Sequence, residues 1–240
     1  MLFVFTNNQV RANALSERLK GKMLLQVEQN GEAWYINPAN EKRYFMGRPD
    51  DAFNLMRELG IGIKNTDLEK IEIAHENLSG TDTDNDGLSD MFEDAIGTNK
   101  AKTDTDGDSY TDKSELLAGY NPNGAGKISK DNSFSEMQLG KILLQVEQNG
   151  EAWYVNPDNT KRYYLGRPAD AFNLMRKLGL GITDKDLITI INNDQGWMPE
   201  ITCPLLADNL ESCSEYACQF IHPRNKEVLT RKVIGKNKKA

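Results

Sequence analysis

Histidine is nearly absent from this chain, with His75 and His222 the two examples in 240 residues. No nucleophile–base constellation can be assembled around them. His75-Glu76 begins like a zinc-protease helix, but no second histidine follows at the required spacing. A glycine-rich phosphate loop and a dinucleotide fingerprint are both missing. No apolar run approaches the roughly 18 residues that a membrane helix needs. Hydrophobic residues make up 38% of the chain, which is low for a compact enzyme. Cysteine is scarce too. Cys203, Cys213 and Cys218 sit close together, an odd number that suggests a missing partner. These absences favour a non-enzymatic protein with no transmembrane segment, and no specific nucleic-acid partner is expected.

Acidic side chains, by contrast, are concentrated in one place. The run Asp82-Thr83-Asp84-Asn85-Asp86-Gly87-Leu88-Ser89-Asp90-Met91-Phe92-Glu93 matches D-x-[DN]-x-[DN]-G-x5-E at every defined position. A second run, Asp104 to Glu115, repeats the pattern through Asp106, Asp108, Tyr110 and Asp112, with Ser109 in place of the usual glycine. Such loops surround Ca²⁺ with oxygen ligands at roughly 2.3–2.6 Å. Positions 1, 3 and 5 give side-chain oxygens, position 7 (Leu88 or Tyr110) a backbone carbonyl, and position 9 (Asp90 or Asp112) an oxygen often reaching through water. The glutamate at position 12 closes the site with both oxygens. Two Ca²⁺ sites are expected. Between Thr81 and Glu115 about 11 acidic residues face three lysines, while the whole chain carries −7. Without calcium such a segment repels itself, so ordering and binding form one event.

No entering helix is supported before either loop, which separates them from EF-hands. An exiting helix is expected after each, ending at Gly97 and Gly119. With the breaks Gly97-Thr98-Asn99 and Gly119-Tyr120-Asn121-Pro122, residues 80–124 resemble the bacterial form of the thrombospondin type 3 repeat. That resemblance implies a secreted, calcium-stiffened spacer and carries no catalytic activity.

The segment is bracketed by an internal repeat. Residues 21–71 and 140–190 align without a gap and agree at about 37 of 51 positions. In each copy, Met23, Leu25 and Val27 (or their equivalents) alternate as a half-buried strand. Asn30-Gly31 marks a turn, a second strand carries Trp34 and Tyr35, and a third spans 43–46. Pro49 opens a helix whose apolar stripe is Ala52, Leu55, Met56 and Leu59. A short second helix is capped by Asn65, or Asp184 in the second copy. The expected fold is α+β, with two small repeated modules, each a three-stranded antiparallel meander plus helices, flanking a calcium-binding loop–helix spacer. The modules also resemble uncharacterised units that accompany thrombospondin type 3 loops in predicted secreted bacterial proteins.

The aromatic residues give an alternative. Trp34, Tyr35, Tyr44 and their counterparts Trp153, Tyr154, Tyr163 lie on short strands whose neighbours face opposite sides. A sheet covered by helices on one face buries half of them, leaving the rest as a candidate platform for carbohydrate. The bland reading is that they fill a small core and its rim.

The ends suggest export. Leu2–Phe5 is apolar and Ala12-Asn13-Ala14 is an A-x-A cleavage signature, reading either as a signal peptide without its beginning or as an ordinary irregular terminus. In an oxidising compartment Cys213 and Cys218 are the expected pair, leaving Cys203 free. From Arg224 onward seven basic residues face one glutamate, a tail suited to anionic polymers or to solvent.

The expected organisation is an N-terminal segment (1–18), module A (19–76), the calcium segment (78–124), a linker (125–137), module B (138–194) and a basic Cys-containing segment (195–240). The linker is rich in Gly, Asn, Ser and Lys, so module B is expected to move relative to the spacer. Together these features indicate a secreted or cell-surface calcium-binding structural or adhesive protein. The alternative is a carbohydrate- or cell-wall-binding protein. Its partners would be cell-wall polysaccharide or another surface protein.

Overall fold

The computed structural model describes residues 14–192 apart from 29, 75 and 77, together with the backbone of 215–221 and 228–234. The chain divides into Met1–Ile191 and Asn192–Ala240. In the second unit, Glu215–Ile221 (β9) and Val228–Ile234 (β10) form an antiparallel hairpin running from Ile221↔Val228 to Glu215↔Ile234. Residues 1–13, with the cleavage signature's first two positions, lie outside the described residues, as do Cys203 and Cys213 and hence the expected disulfide.

In the first unit each copy builds the expected meander. Met23–Gln26 (β1) pairs with Ala33–Ile36 (β2), which pairs with Arg43–Phe45 (β3), placing Leu24 opposite Trp34 and Trp34 opposite Phe45. Pro49–Leu59 (α1) follows, with Pro49 at the first turn. The second copy repeats this as Ile142–Gln145 (β5), Ala152–Val155 (β6), Arg162–Tyr164 (β7) and Pro168–Leu178 (α6).

The two copies are not separate modules. Ile61–Ile63 (β4) leaves α1 as a strand and pairs in parallel with β5 of the other copy, through Ile61↔Leu143 and Ile63↔Gln145. Leu180–Ile182 (β8) returns the exchange by pairing in parallel with β1. The sheets therefore run β3-β2-β1-β8 and β4-β5-β6-β7, each with three strands from one copy and one from the other. At the opposite edges, the Arg43 amide donates to Ile191 O and the Arg162 amide to Glu72 O. The physical reason is size, because about 50 residues bury too little surface to close a core alone. A shared core meets that limit. Met23, Tyr35, Met46, Ala52 and Met56 pack in one cluster with Ile142, Tyr154, Leu165, Leu174 and Met175. Where the copies meet, a Cβ on Gly140 would lie 2.2 Å from Gly21 Cα, so only glycine fits on either side.

Strands β4 and β8 were not expected, since the three residues Ile-Gly-Ile or Leu-Gly-Ile carry no readable period. The short helices after them, Asn65–Leu68 (α2) and Asp184–Leu187 (α7), begin one residue earlier than expected: Lys64 holds the first N-cap position without a side-chain bond, and Thr183 caps the second by accepting from the Asp186 amide.

The middle of the chain is also part of this unit. Asp90–Ile96 (α3) lays Leu88, Phe92 and Ala95 against Leu143, Trp153, Val155 and Tyr164 on the back of the second sheet, with Ile63, Leu68 and Ile71 completing the cluster. The linker is ordered as well. Asn132–Met137 (α5) is capped by Asp131, whose amide donates to Lys70 O, and Phe134 packs on the same cluster. The expectation that module B moves on a loose linker is replaced by one packed body.

Candidate metal centre

The two acidic loops have nearly superimposable hydrogen-bonding plans, dictated by aspartate side chains folding onto their own backbone. Asp82 accepts from the Asn85 and Gly87 amides at 2.8 and 3.0 Å, Asp84 from Asp86 at 3.1 Å, and Asp86 from Leu88 at 2.7 Å. Asp104 accepts from Gly107 and Ser109 at 2.7 and 2.8 Å, Asp106 from Asp108 at 3.2 Å, and Asp108 from Tyr110 at 3.0 Å. Each loop turns through two left-handed residues, Asn85 and Gly87 in the first and Gly107 and Ser109 in the second. Ser109 sits at φ 80, so the sixth position needs the glycine conformation even where glycine is absent.

No helix enters either loop, and an exiting helix follows each: α3, and then Asp112–Ala118 (α4). Gly97 and Gly119 end them with φ 83 and 78, as left-handed caps. The Lys113 ammonium donates to Gly87 O at 3.1 Å, so the second loop abuts the first.

The carboxylates at positions 1, 3 and 5 converge. One oxygen from each of Asp82, Asp84 and Asp86 lies within 4.8 Å of the others, and the same holds for Asp104, Asp106 and Asp108. Glu93 and Glu115, one turn into their helices, are buried beneath these groups. Four oxygens decide the chemistry. Asp84 Oδ2, Asp86 Oδ2, Glu93 Oε2 and Glu115 Oε2 are buried and have no hydrogen-bond donor among the described residues. A carboxylate oxygen in that condition costs several kcal/mol unless a cation or a proton meets it, roughly as for any buried charge. In the absence of metal the proton is favoured. Burial first, then Asp84, Asp86 and Asp112, pushes Glu93 up to about 8. Burial and the carboxylates of Asp108, Asp106, Asp112 and Asp104 push Glu115 up to about 7. Burial also raises Asp84. Hard oxygen donors in this number, with one from a glutamate at position 12, fit Ca²⁺.

Position 9 carries a second set of bonds. Asp90 spends both oxygens on Thr83, accepting from its amide at 2.9 Å and its hydroxyl at 2.8 Å. Asp112 does the same with Thr105 at 2.8 and 2.6 Å. These aspartates clamp the start of each loop to its helix. Leu88 is buried and anchors the first loop, while Tyr110 is exposed, so the second site is the more open one. The anchoring by Leu88, Phe92 and Ala95 was legible as an i, i+4, i+7 apolar spacing that the acidic pattern overshadowed.

The aromatic platform is not present. Trp34, Tyr35, Tyr44, Trp153, Tyr154 and Tyr163 are all buried, with Trp153 at 0% exposure. The Trp34 and Trp153 indoles donate to Gln26 and Gln145 at 2.9 and 2.8 Å. The Tyr35 and Tyr154 hydroxyls donate to Gly140 O and Gly21 O, and burial pushes both phenols upward. Asn40 and Asn159 donate to Tyr44 and Tyr163. The outward face of the second sheet is occupied by the calcium segment, which makes Trp153 interior.

Residues 82–99, covering the first loop, its helix and the Gly-Thr-Asn break, match the family model of the bacterial TSP3 repeat. That family is calcium-binding. No curated protein and no solved structure matches the chain significantly. No helix among the described residues is long and apolar enough to cross a membrane.

Proposed function

We propose that the protein is a secreted or cell-surface calcium-binding scaffold without catalytic activity, holding two Ca²⁺ ions that lock its acidic segment onto the duplicated sheet unit. The observation that carries this reading is the set of four buried carboxylate oxygens with no donor among the described residues. Asp82, Asp84, Asp86 and Glu93 with the Leu88 carbonyl would hold one ion, and Asp104, Asp106, Asp108 and Glu115 with the Tyr110 carbonyl the other. The ions would supply the positive charge that the loops lack. Because Phe92 and Glu93 share a helix, filling the first loop would also fix the helix that covers Trp153.

Extracellular calcium is abundant enough to occupy even weak loops, at about 10⁻⁴–10⁻³ M affinities for such modules. The role we propose for this scaffold is adhesive or spacing, with surface polysaccharide or another surface protein as its partner. Titration calorimetry on the full chain after chelation should give a stoichiometry near two. A stoichiometry of one would retain the first loop and reject the second, while a flat titration at millimolar calcium would sink the reading. The full chain is needed because α3 is packed into the sheet unit.

A further inference from the structure

The two copies treat equivalent arginines differently. Arg43 lies over Trp34 at 5.0 Å and donates through Nη1 to Leu187 O. Arg162 lies over Trp153 at 4.5 Å and is 5% exposed; its Nε, like that of Arg43, is buried without an acceptor among the described residues, and Glu69 is the charge that acts on it. A buried guanidinium nitrogen without an acceptor is costly, and an anion in an adjoining cavity would meet it. Burial presses its pKa down to about 9, which leaves it charged near neutrality.

Arg162 borders two cavities of about 400 and 310 Å³, which also share Glu69, Ile96 and Asn123. The larger falls within the range of small-molecule sites, roughly 300–1,000 Å³. Its walls include Ile73, Ile96, Leu116 and Ile128, and Lys127 adds a second cation whose only described neighbour is the Tyr120 ring at 5.6 Å. Lys70 also lines it but is paired with Asp67 at 2.6 Å. Glu69 is the one carboxylate there, exposed at the rim.

Sequence divergence falls in the same place. The copies differ at about 14 of 51 aligned positions, and five of those lie in 64–70. Asn65, Thr66, Glu69 and Lys70 line these cavities, where the other copy carries Asp184, Lys185, Ile188 and Thr189.

We propose that this cavity binds an organic carboxylate with a small apolar body, its carboxylate on the Arg162 guanidinium and its body against Ile73, Ile96, Leu116 and Ile128. Guanidinium–carboxylate pairs can be bidentate, which gives orientation as well as affinity. The carboxylate could belong to a free acid or to the C-terminus of a peptide, and the chemistry of recognition is the same. The site uses no calcium ligand, so its test is independent of the calcium reading.

An NMR titration of the labelled full chain in calcium can use hexanoate, neutral hexanamide, and an acetylated dipeptide ending in leucine. Hexanoate should shift the Ile96, Asn123 and Arg162 amides saturably. Hexanamide should bind at least about tenfold more weakly, the loss expected when one charge-assisted hydrogen-bonded pair is removed. Preference for the dipeptide over hexanoate would identify a peptide terminus, and the reverse a free acid. Arg162→Gln should abolish binding. Because Arg162 is interior, Glu69→Gln serves as the second variant, and removing the competing rim carboxylate should tighten hexanoate severalfold. Equal binding of hexanoate and hexanamide, no shifts with either acid, or weaker binding in Glu69→Gln would each overturn the proposal.

Discussion

The Tyr154 hydroxyl donates to the Gly21 carbonyl at 2.7 Å, bridging 133 residues of sequence, and Tyr35 returns the same bond to Gly140. These two buried bonds sit beside the Gly21–Gly140 contact between the copies and tie each meander to the start of the other. With the exchanged strands they make the copies one cooperative body.

Tyr154→Phe leaves the buried Gly21 carbonyl without its donor and should cost about 1–3 kcal/mol in urea denaturation. Tyr35→Phe should cost a similar amount. Both variants should still unfold in a single transition, since the core is shared. Two separated transitions in either variant would show that the copies fold independently.

Phe92→Ala removes a buried ring from the cluster around Trp153 and should destabilise the protein by about 3–5 kcal/mol. The same change should weaken calcium at the first loop, because Glu93 depends on that helix for its position. Stability measured in chelator and in calcium, alongside a calcium titration, checks both effects. A stability loss with unchanged calcium affinity would separate the loop from the core.

The pH dependence should invert with calcium. Without metal, Glu93 and Glu115 titrate near 8 and 7 in the folded state, against an ordinary value of 4.5 when unfolded. The folded protein thus holds more protons between those limits, so metal-free stability is greatest below about pH 4.5 on this account and declines as pH rises toward 8. Calcium affinity should rise over the same window as the protons leave. Glu93→Gln should flatten the metal-free decline and abolish binding at the first loop. Melting temperatures across pH 5 to 8, with and without calcium, measure this directly.

Ser109→Gly relieves a left-handed serine at φ 80, a strain of roughly 1 kcal/mol. The second site should tighten about fivefold. Asn85→Gly in the first loop should gain less, since asparagine tolerates that region better. Site-resolved calcium titrations would distinguish the two, and an unchanged second site would mean that the bound loop no longer strains Ser109.

Much of this was legible before any coordinates. The ligand spacing, the absence of entering helices and the glycine caps follow from local chemistry, and local chemistry is what sequence records most directly. The meander and the stripe on α1 were equally readable from their periods. What escaped was long-range. Gly62 and Gly181 sit in three-residue strands too short to show alternation, and their partners lie in the other copy. The aromatic platform failed because the second face of a sheet can be covered by a segment whose acidic residues suggest solvent. The threonine seven residues before Asp90 and Asp112, which bonds both carboxylate oxygens, was likewise not read from the ligand pattern.

Strand exchange gives the acidic middle of the chain a role in assembly arithmetic. A single copy on its own could complete its four-stranded sheet only by meeting another molecule, so its folding would be second order in protein. Joining the copies through residues 72–139 turns that encounter into a unimolecular closure at a fixed local concentration. Dilution, which dissociates an exchanged dimer, then has no leverage on these sheets.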